Sequence, residues 1–351
     1  MRYLEAIQPK LSRLADGNAA ILAIESSCDE TAAAVVTMDM QVLSSVIASQ
    51  VDTHAIYGGV VPEIASRMHM EALPHVVSQA LEQAGMGFDD IAAVAGTYGP
   101  GLVGALLTGL CYAKGIAYAK SLPFVGVNHM VGHIFANHIS HPDLQPPYLC
   151  LLVSGGHTHL VLVEENMRLT VLGKSQDDAV GEAFDKVARI LGLPYPGGPN
   201  LERLAAAGNA AAFSFTLPKL QNQMDFSFSG LKTAVVNLAH TMEQKGQPLP
   251  RADIAASFQA HAVEFLLYST QAALEYTGAT QLAICGGVSA NGYLRAAAAQ
   301  RCEQENIRLF LPDSLLTTDN AAMIGAAGAY QLKHGQLSGM EINAYPSLNI
   351  V

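Results

Sequence analysis

Cysteine is scarce. The 351 residues hold five, Cys28, Cys111, Cys150, Cys285 and Cys302. They are odd in number, scattered, and nowhere spaced as CxxC, which suits a reducing cytosol and argues against a thiolate metal site. A bound metal would then have to be held by histidines and carboxylates. Long apolar runs are also missing, because Ala and Gly dilute every candidate membrane span. The first twenty residues contain no apolar h-region and are not rich in Arg and Ser, so neither a secretory signal nor a transit peptide is expected. Together these absences predict a cytoplasmic protein with no membrane partner. Basic residues are outnumbered, 19 Lys and Arg against 30 Asp and Glu, for a formal net charge of −11. Such a chain does not bind nucleic acid by bulk charge. If it handles RNA, a local basic patch or a partner must supply the phosphate contacts.

Half of the residues are hydrophobic, and Gly and Ala abound. The length allows two domains with their own cores, and the composition is that of an α/β protein. The segment Val127-Asn128-His129-Met130-Val131-Gly132-His133 reads as the end of a strand and the start of a helix. Residues four apart share a helix face, so His129 and His133 can point at one metal ion. A peptidase motif HExxH would place a Glu after the first His as general base. Here that residue is Met130. Two histidines supply only part of a coordination shell, so a further ligand must come from elsewhere.

Three short strands are predicted over Ile21–Ser27, Ala32–Met38 and Gln41–Ser49. The hairpin Glu25-Ser26-Ser27-Cys28-Asp29-Glu30-Thr31 between the first two is dense in hydroxyls and carboxylates. It reads as a polar turn or as a loop facing a phosphate-bearing or metal-bound ligand. A helix from Pro62 to about Ala84 follows, then a strand Ile91–Tyr98, a helix Leu102–Lys120, a strand Phe124–Asn128 and the histidine helix. The glycines of Gly99-Pro100-Gly101-Leu102-Val103-Gly104 match GxGxxG, but the next strand ends in Asn128, with no acid for a ribose. They are read as a tight turn and close helix packing. Gly173-Lys174-Ser175 is not a P-loop, because Arg168 stands where the first Gly is required.

Past the prolines Pro142, Pro146 and Pro147 the pattern returns: strands Tyr148–Ser154, His157–Glu165 and Leu169–Gly173, then a helix Asp178–Leu191. Three strands and a helix thus occur twice, which suggests two related domains facing a cleft. Asp178, Glu182 and Asp185 are expected on one face of that helix. Ser227 or Ser229 is a candidate cap for the helix after Asp225–Lys232. A long helix is predicted over Asp253–Tyr276. The strand Gln281–Cys285 runs into Gly286-Gly287-Val288-Ser289-Ala290-Asn291, where glycines and a helix start favour a polar or anionic ligand. A strand Arg308–Pro312 and a helix Ala321–Lys333 close the pattern. Thr318, Asp319 or Asn320 is the N-cap of that helix, and Asp319 is the best-placed lone carboxylate to complete a His, His, Asp set.

Nine ordered motifs carry a family resemblance: IESSCDET (24–31), YGGVVPEIASR (57–67), GPGLVGALLTG (99–109), NHMVGH (128–133), LLVSGGHT (151–158), GEAFDKVARILGLPYPGGP (181–199), DFSFSGLKTA (225–234), GGVSAN (286–291) and TDNAAMI (318–324). They resemble the Gcp/TsaD family, tRNA N6-adenosine threonylcarbamoyltransferases once described as O-sialoglycoprotein endopeptidases. The match spans roughly Ile21 to Leu348. Ser26 stands where Thr is usual, which keeps the hydroxyl, and residues 1–18 lie outside the pattern.

The resemblance implies two duplicated domains of the actin/hexokinase/sugar-kinase (ASKHA) fold. These are expected at 21–145, completed by a C-terminal helix at about 321–345, and at 146–320, with 1–20 as an extension. It implies that His129, His133 and Asp319 hold one divalent metal, Fe or Zn. It also implies that Leu152, Val153, Ser154, Gly155, Gly156, Asp185, Gly198 and Asn291 bind the nucleotide-like substrate. The expected reaction moves a threonylcarbamoyl group from threonylcarbamoyl-AMP to N6 of adenosine 37 in tRNAs reading codons that begin with A. The expected partners are a TsaB-like paralogue and a TsaE-like ATPase. Asp29, or Glu30, is the candidate general base. Cys28 has no base beside it and is read as structural. A metallopeptidase, an ATPase or sugar kinase of the same fold, and a non-catalytic paralogue are the competing readings. The missing Glu argues against the first, the unexplained histidine pair against the second, and the intact His, His, Asp set against the third.

Overall fold

The computed structural model describes residues 3–350. The chain forms two compact units, one made of the chain up to Asp143 together with Thr318–Ile350, the other of Leu144–Thr317. The C-terminal return begins at Thr318, so Asp319 belongs to the same unit as His129 and His133. The expected domain limit, between 320 and 321, would have placed it in the other.

The first unit opens with a short helix α1 (Tyr3–Ile7) and a 3-10 turn over Gln8–Ala15. This lead-in is anchored by Arg13, whose guanidinium donates to the backbone oxygens of Asp90 and Ile91, and by the Tyr3 hydroxyl on the Leu122 carbonyl. Strands β1 (Ala20–Glu25), β2 (Glu30–Thr37) and β3 (Val42–Ser49) form an antiparallel meander. Helices α2 (Val51–Ala55) and α3 (Pro62–Gln83) follow; Pro62 suits a first helical turn, where its missing N–H costs nothing. Then come β4 (Ile91–Gly99), α4 (Val103–Lys120), β5 (Phe124–Asn128) and α5 (His129–Ser140). The sheet order is β3-β2-β1-β4-β5, with β4 parallel to both β1 and β5. Every residue of β1 is buried, as befits a central strand that is apolar up to its last residue, Glu25.

The second unit repeats this plan. Strands β6 (Tyr148–Val153), β7 (Thr158–Val163) and β8 (Leu169–Lys174) form the meander. Helices α6 (Val180–Ile190), α7 (Gly197–Ala205), α8 (Ser229–Gln244) and α9 (Arg251–Thr277) follow, then β9 (Gln281–Cys285), α10 (Gly292–Gln304) and β10 (Arg308–Phe310). The order β10-β9-β6-β7-β8 is the first sheet's order read from the other end, with β9 again parallel to its neighbours. The fold is ASKHA-like. No helix among the described residues is long and apolar enough to cross a membrane.

The chain returns to the first unit as α11 (Ala321–Lys333). Two glycines let it lie close on the sheet: a Cβ on Gly325 would sit 2.7 Å from Val36, and one on Gly328 would sit 2.9 Å from Ala95. The helix expected to reach about 345 ends at Lys333. The rest runs without regular structure along β5 and β4, where Gly126 N–H donates to Ser338 Oγ and Tyr345 N–H to the Tyr98 carbonyl.

Two local expectations are corrected. Asp178 lies ahead of α6, not on it, and bridges Lys186 at 2.8 Å and Lys232 at 2.7 Å. Neither Ser227 nor Ser229 caps α8 by its side chain. Asp177 does so from the β8–α6 loop: its Oδ1 accepts the N–H groups of Phe228 and Ser229, while both serine hydroxyls donate to its Oδ2. A cap brought from fifty residues away leaves no local sequence signal.

Burial opposes the Asp177 charge, but these four donors outweigh it and hold the carboxyl below the usual carboxylate range. Its folded pKa is depressed, so its stabilisation is complete above the unfolded-state value, about 3.9, and fades as pH falls through the folded value. Asp177→Ala should cost about 1 kcal/mol at neutral pH, the usual worth of a cap. Thermal melts of the variant and the parent should converge in strong acid.

Candidate metal centre

The end of β1, the start of α5 and the residue before the α11 cap meet inside the first unit. Asn128 caps α5, its Oδ1 accepting from the N–H groups of Met130 and Val131. That frees both histidines from capping. Between them, Gly132 is a contact point with α11: a Cβ there would lie 2.7 Å from Ile324 Cδ1. Asn320 caps α11 through Met323 N–H and is fully buried. Of the three candidate caps, it is therefore Asn320 that caps, and Asp319 is left to face the histidines.

Asp319 Oδ1 lies 3.4 Å from His129 Nε2 and 3.2 Å from His133 Nε2. One donor atom from each of the three residues lies within 4.8 Å of the others, and among the described residues this is the group that could hold a metal ion. The histidine side chains are 9 % and 1 % exposed, that of Asp319 25 %, which leaves the centre open on the carboxylate side. Three protein ligands with a free position is the pattern of a catalytic rather than a structural site.

Behind the histidines stands a residue of the acid-rich hairpin to which the sequence reading gave no role of its own. Glu25 ends β1 and is wholly buried. Its Oε2 lies 3.1 Å from His129 Nδ1, and Ser27 Oγ is also 3.1 Å from that nitrogen. Glu25 is held in turn by Thr97 O–H on Oε2 and Ser27 N–H on Oε1, each at 2.5 Å. A carboxylate on Nδ1 fixes the tautomer that leaves the Nε2 lone pair for a cation, the usual support of a metal-ligating histidine. The available signal was a lone acid closing an otherwise apolar strand, AILAIE.

The electrostatics agree. Burial works against charging His129, yet Asp319 and Glu25 hold its pKa well above the ordinary imidazole value. Burial likewise opposes the Glu25 and Asp319 charges, and the facing histidines hold both below the usual range. A buried carboxylate and a half-buried one demand positive charge in this space. His133 shows that a proton does not satisfy the whole site: both its ring nitrogens are buried without a hydrogen-bond partner, despite the nearby Asp319 oxygen. An unpaired Nε2 at that point suits a coordinated ion, so the residues present fit a divalent metal.

Asp29 and Glu30 sit on the β1–β2 hairpin. Asp29 is 7 % exposed, and Glu30 accepts from the Ser49 hydroxyl. Burial, then the Asp29 and Asp319 charges, push Glu30 up to about 8, so it holds its proton near neutrality. Burial, with Asp29 and Asp319, also pushes the Cys28 thiol up, which agrees with a structural cysteine. Ser26 gives its hydroxyl to the Ala105 carbonyl. The glycines of Gly99-Pro100-Gly101 accommodate chain neighbours: a Cβ on Gly101 would lie 2.5 Å from the Ser27 carbonyl. Met130, where HExxH would carry its base, is 2 % exposed.

In the second unit, Leu152 to Gly156 lie at the carboxyl end of β6 and Asn291 follows its parallel neighbour β9, whereas Asp185 lies on α6 and Gly198 on α7. Leu152 and Val153 are fully buried, backbone included, and are taken up by the strand ladders, so neither offers a surface to a ligand. The hairpin Ser154-Gly155-Gly156 is braced by Ser154 Oγ, which accepts His157 N–H, and both glycines are exposed with open space at the Cβ position. Gly286, at φ +88, touches the Val153 carbonyl so closely that a Cβ would lie 2.4 Å from it. Asp185 Oδ1 accepts Gly198 N–H, which joins these two predicted residues to each other. Asn291 caps α10 and donates to Gln259, so most of its side chain is committed to the fold.

Known proteins resemble this chain in sequence and in fold. Residues 41–326 match the TsaD family, tRNA N6-adenosine threonylcarbamoyltransferase. The chain is 52 % identical over 331 residues to the tRNA N6-adenosine threonylcarbamoyltransferase of Clostridium perfringens, covering 94 % of this chain and 98 % of that one. It is 50 % identical to the enzyme of the same name from Clostridium botulinum, covering 94 % and 97 %. It belongs to this transferase family. Among solved structures, HypF of T. kodakarensis is similar in fold, with a TM-score of 0.62 at 12 % identity over 91 % of this chain and 48 % of that one. So is component A of Acidaminococcus fermentans (R)-2-hydroxyglutaryl-CoA dehydratase, with a TM-score of 0.53 at 15 % identity over 89 % and 98 %.

Glu25→Ala should weaken metal affinity roughly 10–100-fold while leaving all three ligands in place. A competition titration against a coloured chelator measures this; parental affinity would show that Glu25 does not support the centre. His133→Ala should abolish stoichiometric metal, read by elemental analysis.

Proposed function

We propose that the protein transfers the threonylcarbamoyl group of threonylcarbamoyl-AMP to N6 of adenosine 37 in tRNAs reading codons that begin with A, releasing AMP. What carries this reading is the meeting of His129, His133 and Asp319 in a chain of the TsaD family. The three would hold one divalent ion, Fe or Zn. Such an ion, when bound, supplies a Lewis acid that polarises a carbonyl and orients its substrate.

The remaining tasks fall to the chain itself. The N6 lone pair attacks the carbamoyl carbon, the bond from that carbon to the AMP oxygen breaks, AMP leaves with the electron pair, and N6 gives up a proton. Asp29, the more deeply buried of the two hairpin acids, is the proposed acceptor of that proton. The open backbones of Gly155 and Gly156, with the turn at Gly287, would hold the adenylate through N–H groups. Fixing both reactants in line is worth on the order of 7–11 kcal/mol of the barrier. The acidic surface supports a need for partners in tRNA binding, proposed as a TsaB-like paralogue and a TsaE-like ATPase in the cytoplasm. No observation favours a peptidase: the position of its base is filled by the core residue Met130.

Mass spectrometry of tRNA nucleosides, after incubation with threonylcarbamoyl-AMP and candidate partners, tests the reaction. The modified adenosine should appear, and its absence with every partner set would refute the assignment. Asp29→Ala should lower turnover by about 10²-fold or more, the usual worth of a general base, with metal content unchanged. An unaltered rate would remove Asp29 from the mechanism.

A further inference from the structure

Behind the hairpin that carries Asp29 lies a buried polar chain to which no role has been given. His54 and His69 are both fully buried. Val61 N–H donates to His54 Nδ1 at 3.3 Å, and His54 Nε2–H donates to Gln50 Oε1 at 3.1 Å. The Gln50 amide nitrogen donates to the Ala65 carbonyl at 3.4 Å and to Thr31 Oγ1 at 3.5 Å. Thr31 O–H donates to His69 Nδ1 at 2.7 Å, and His69 Nε2–H donates to the Cys28 carbonyl at 3.0 Å. Each donor in this order finds an acceptor, and only one tautomer of His69 allows it. Gln50 N–H also holds the Asp29 carbonyl at 3.0 Å. The peptide linking Cys28 to Asp29 is therefore gripped by an imidazole from α3, and the next carbonyl by the backbone before α2. Polar groups sealed in a core cost stability unless fully paired, and here the pairing converges on one peptide of the candidate site. Burial lowers the His69 pKa, in keeping with a neutral ring.

We propose that His69 is a positioning residue for the transfer reaction: by donating from Nε2 to the Cys28 carbonyl, it fixes the Cys28–Asp29 peptide and so aims the Asp29 carboxylate at the reacting amine. This rests on the proposed function and on Asp29 as proton acceptor. His69 touches neither substrate nor metal in this role. A misplacement of about 1 Å at a reacting group is enough to cost roughly 10²-fold in rate.

Three variants separate aim from mere stability. In His69→Gln the side-chain amide reaches about as far as Nε2 and keeps the bond to Cys28. His69→Asn keeps a polar group near Thr31 but falls short of Cys28. Thr31→Val breaks the chain one link earlier and leaves His69 over Cys28. Modified-nucleoside formation is followed for each, with melting temperature and metal stoichiometry measured alongside. The unaltered protein is the reference: if it forms no product, the proposed function fails irrespective of His69. Given product, H69N should lose ~10–100-fold in kcat with unchanged metal and little change in KM for tRNA. H69Q should recover to within a few fold of the parent, and T31V should melt lower without the kcat loss. Parental kcat in H69N would overturn the proposal, as would Gln performing no better than Asn, or kcat following melting temperature across the set. Should H69N not fold, H69Q decides: near-parental kcat supports the proposal, and a drop of about ten-fold or more at parental melting temperature overturns it.

Discussion

The structure turns on a carboxylate that has no access to water. Glu25 is sealed at the end of the central strand of the first sheet, and a buried anion is tolerated only when it is paired and hydrogen-bonded. The Thr97 hydroxyl and the Ser27 N–H supply part of what it needs, and His129 supplies the rest. Asp319 brings a second negative charge to the opposite side of the same ring. A single imidazolium cannot balance two carboxylates. A divalent ion held by neutral imidazoles can, and it would also occupy the unpaired Nε2 of His133. The demand for a cation is thus built into the strand, not only into the helix that carries the histidines.

The rest of the first unit brings these pieces within reach. Small residues do most of this: Gly132 lets α5 meet α11, Gly325 and Gly328 set α11 against the sheet, and Gly101 admits the Ser27 carbonyl. Asn128 and Asn320, one before each helix, take the capping roles that His129 and Asp319 would otherwise compete for. The polar side chains of the site are free to face one another because their neighbours satisfy the backbone.

Much of this could be read in the residues alone. Apolar, β-branched runs bounded by polar clusters placed most strands within a residue or two, and the recurrence of three strands and a helix reappears as two sheets of one topology. The HxxxH spacing singled out the histidine pair because helical geometry makes four residues one turn. Apart from the pairing of Asp319 with the histidines, what escaped was carried by contacts distant in sequence. Glu25 meets His129 across 104 residues, and a lone acid at the end of an apolar strand does not say which residue it meets. Asp177 caps a helix fifty residues on, where local rules pointed to Ser227 or Ser229. Asp178 looked like the first turn of α6 because it carries the right charge, but its two lysine partners hold it ahead of the helix. Asn291, a substrate contact by the family resemblance, uses its side-chain oxygen to cap α10.

The central claim is that one cation sits against His129 Nε2, His133 Nε2 and Asp319. Anomalous diffraction from crystals of the protein, recorded on both sides of the iron and zinc absorption edges, addresses it most directly. One peak is expected within bonding distance of all three side chains, with metal–nitrogen separations of about 2.0–2.1 Å if the ion is zinc. A peak elsewhere, or His133 Nε2 hydrogen-bonded to protein or water with no metal beside it, would contradict the claim.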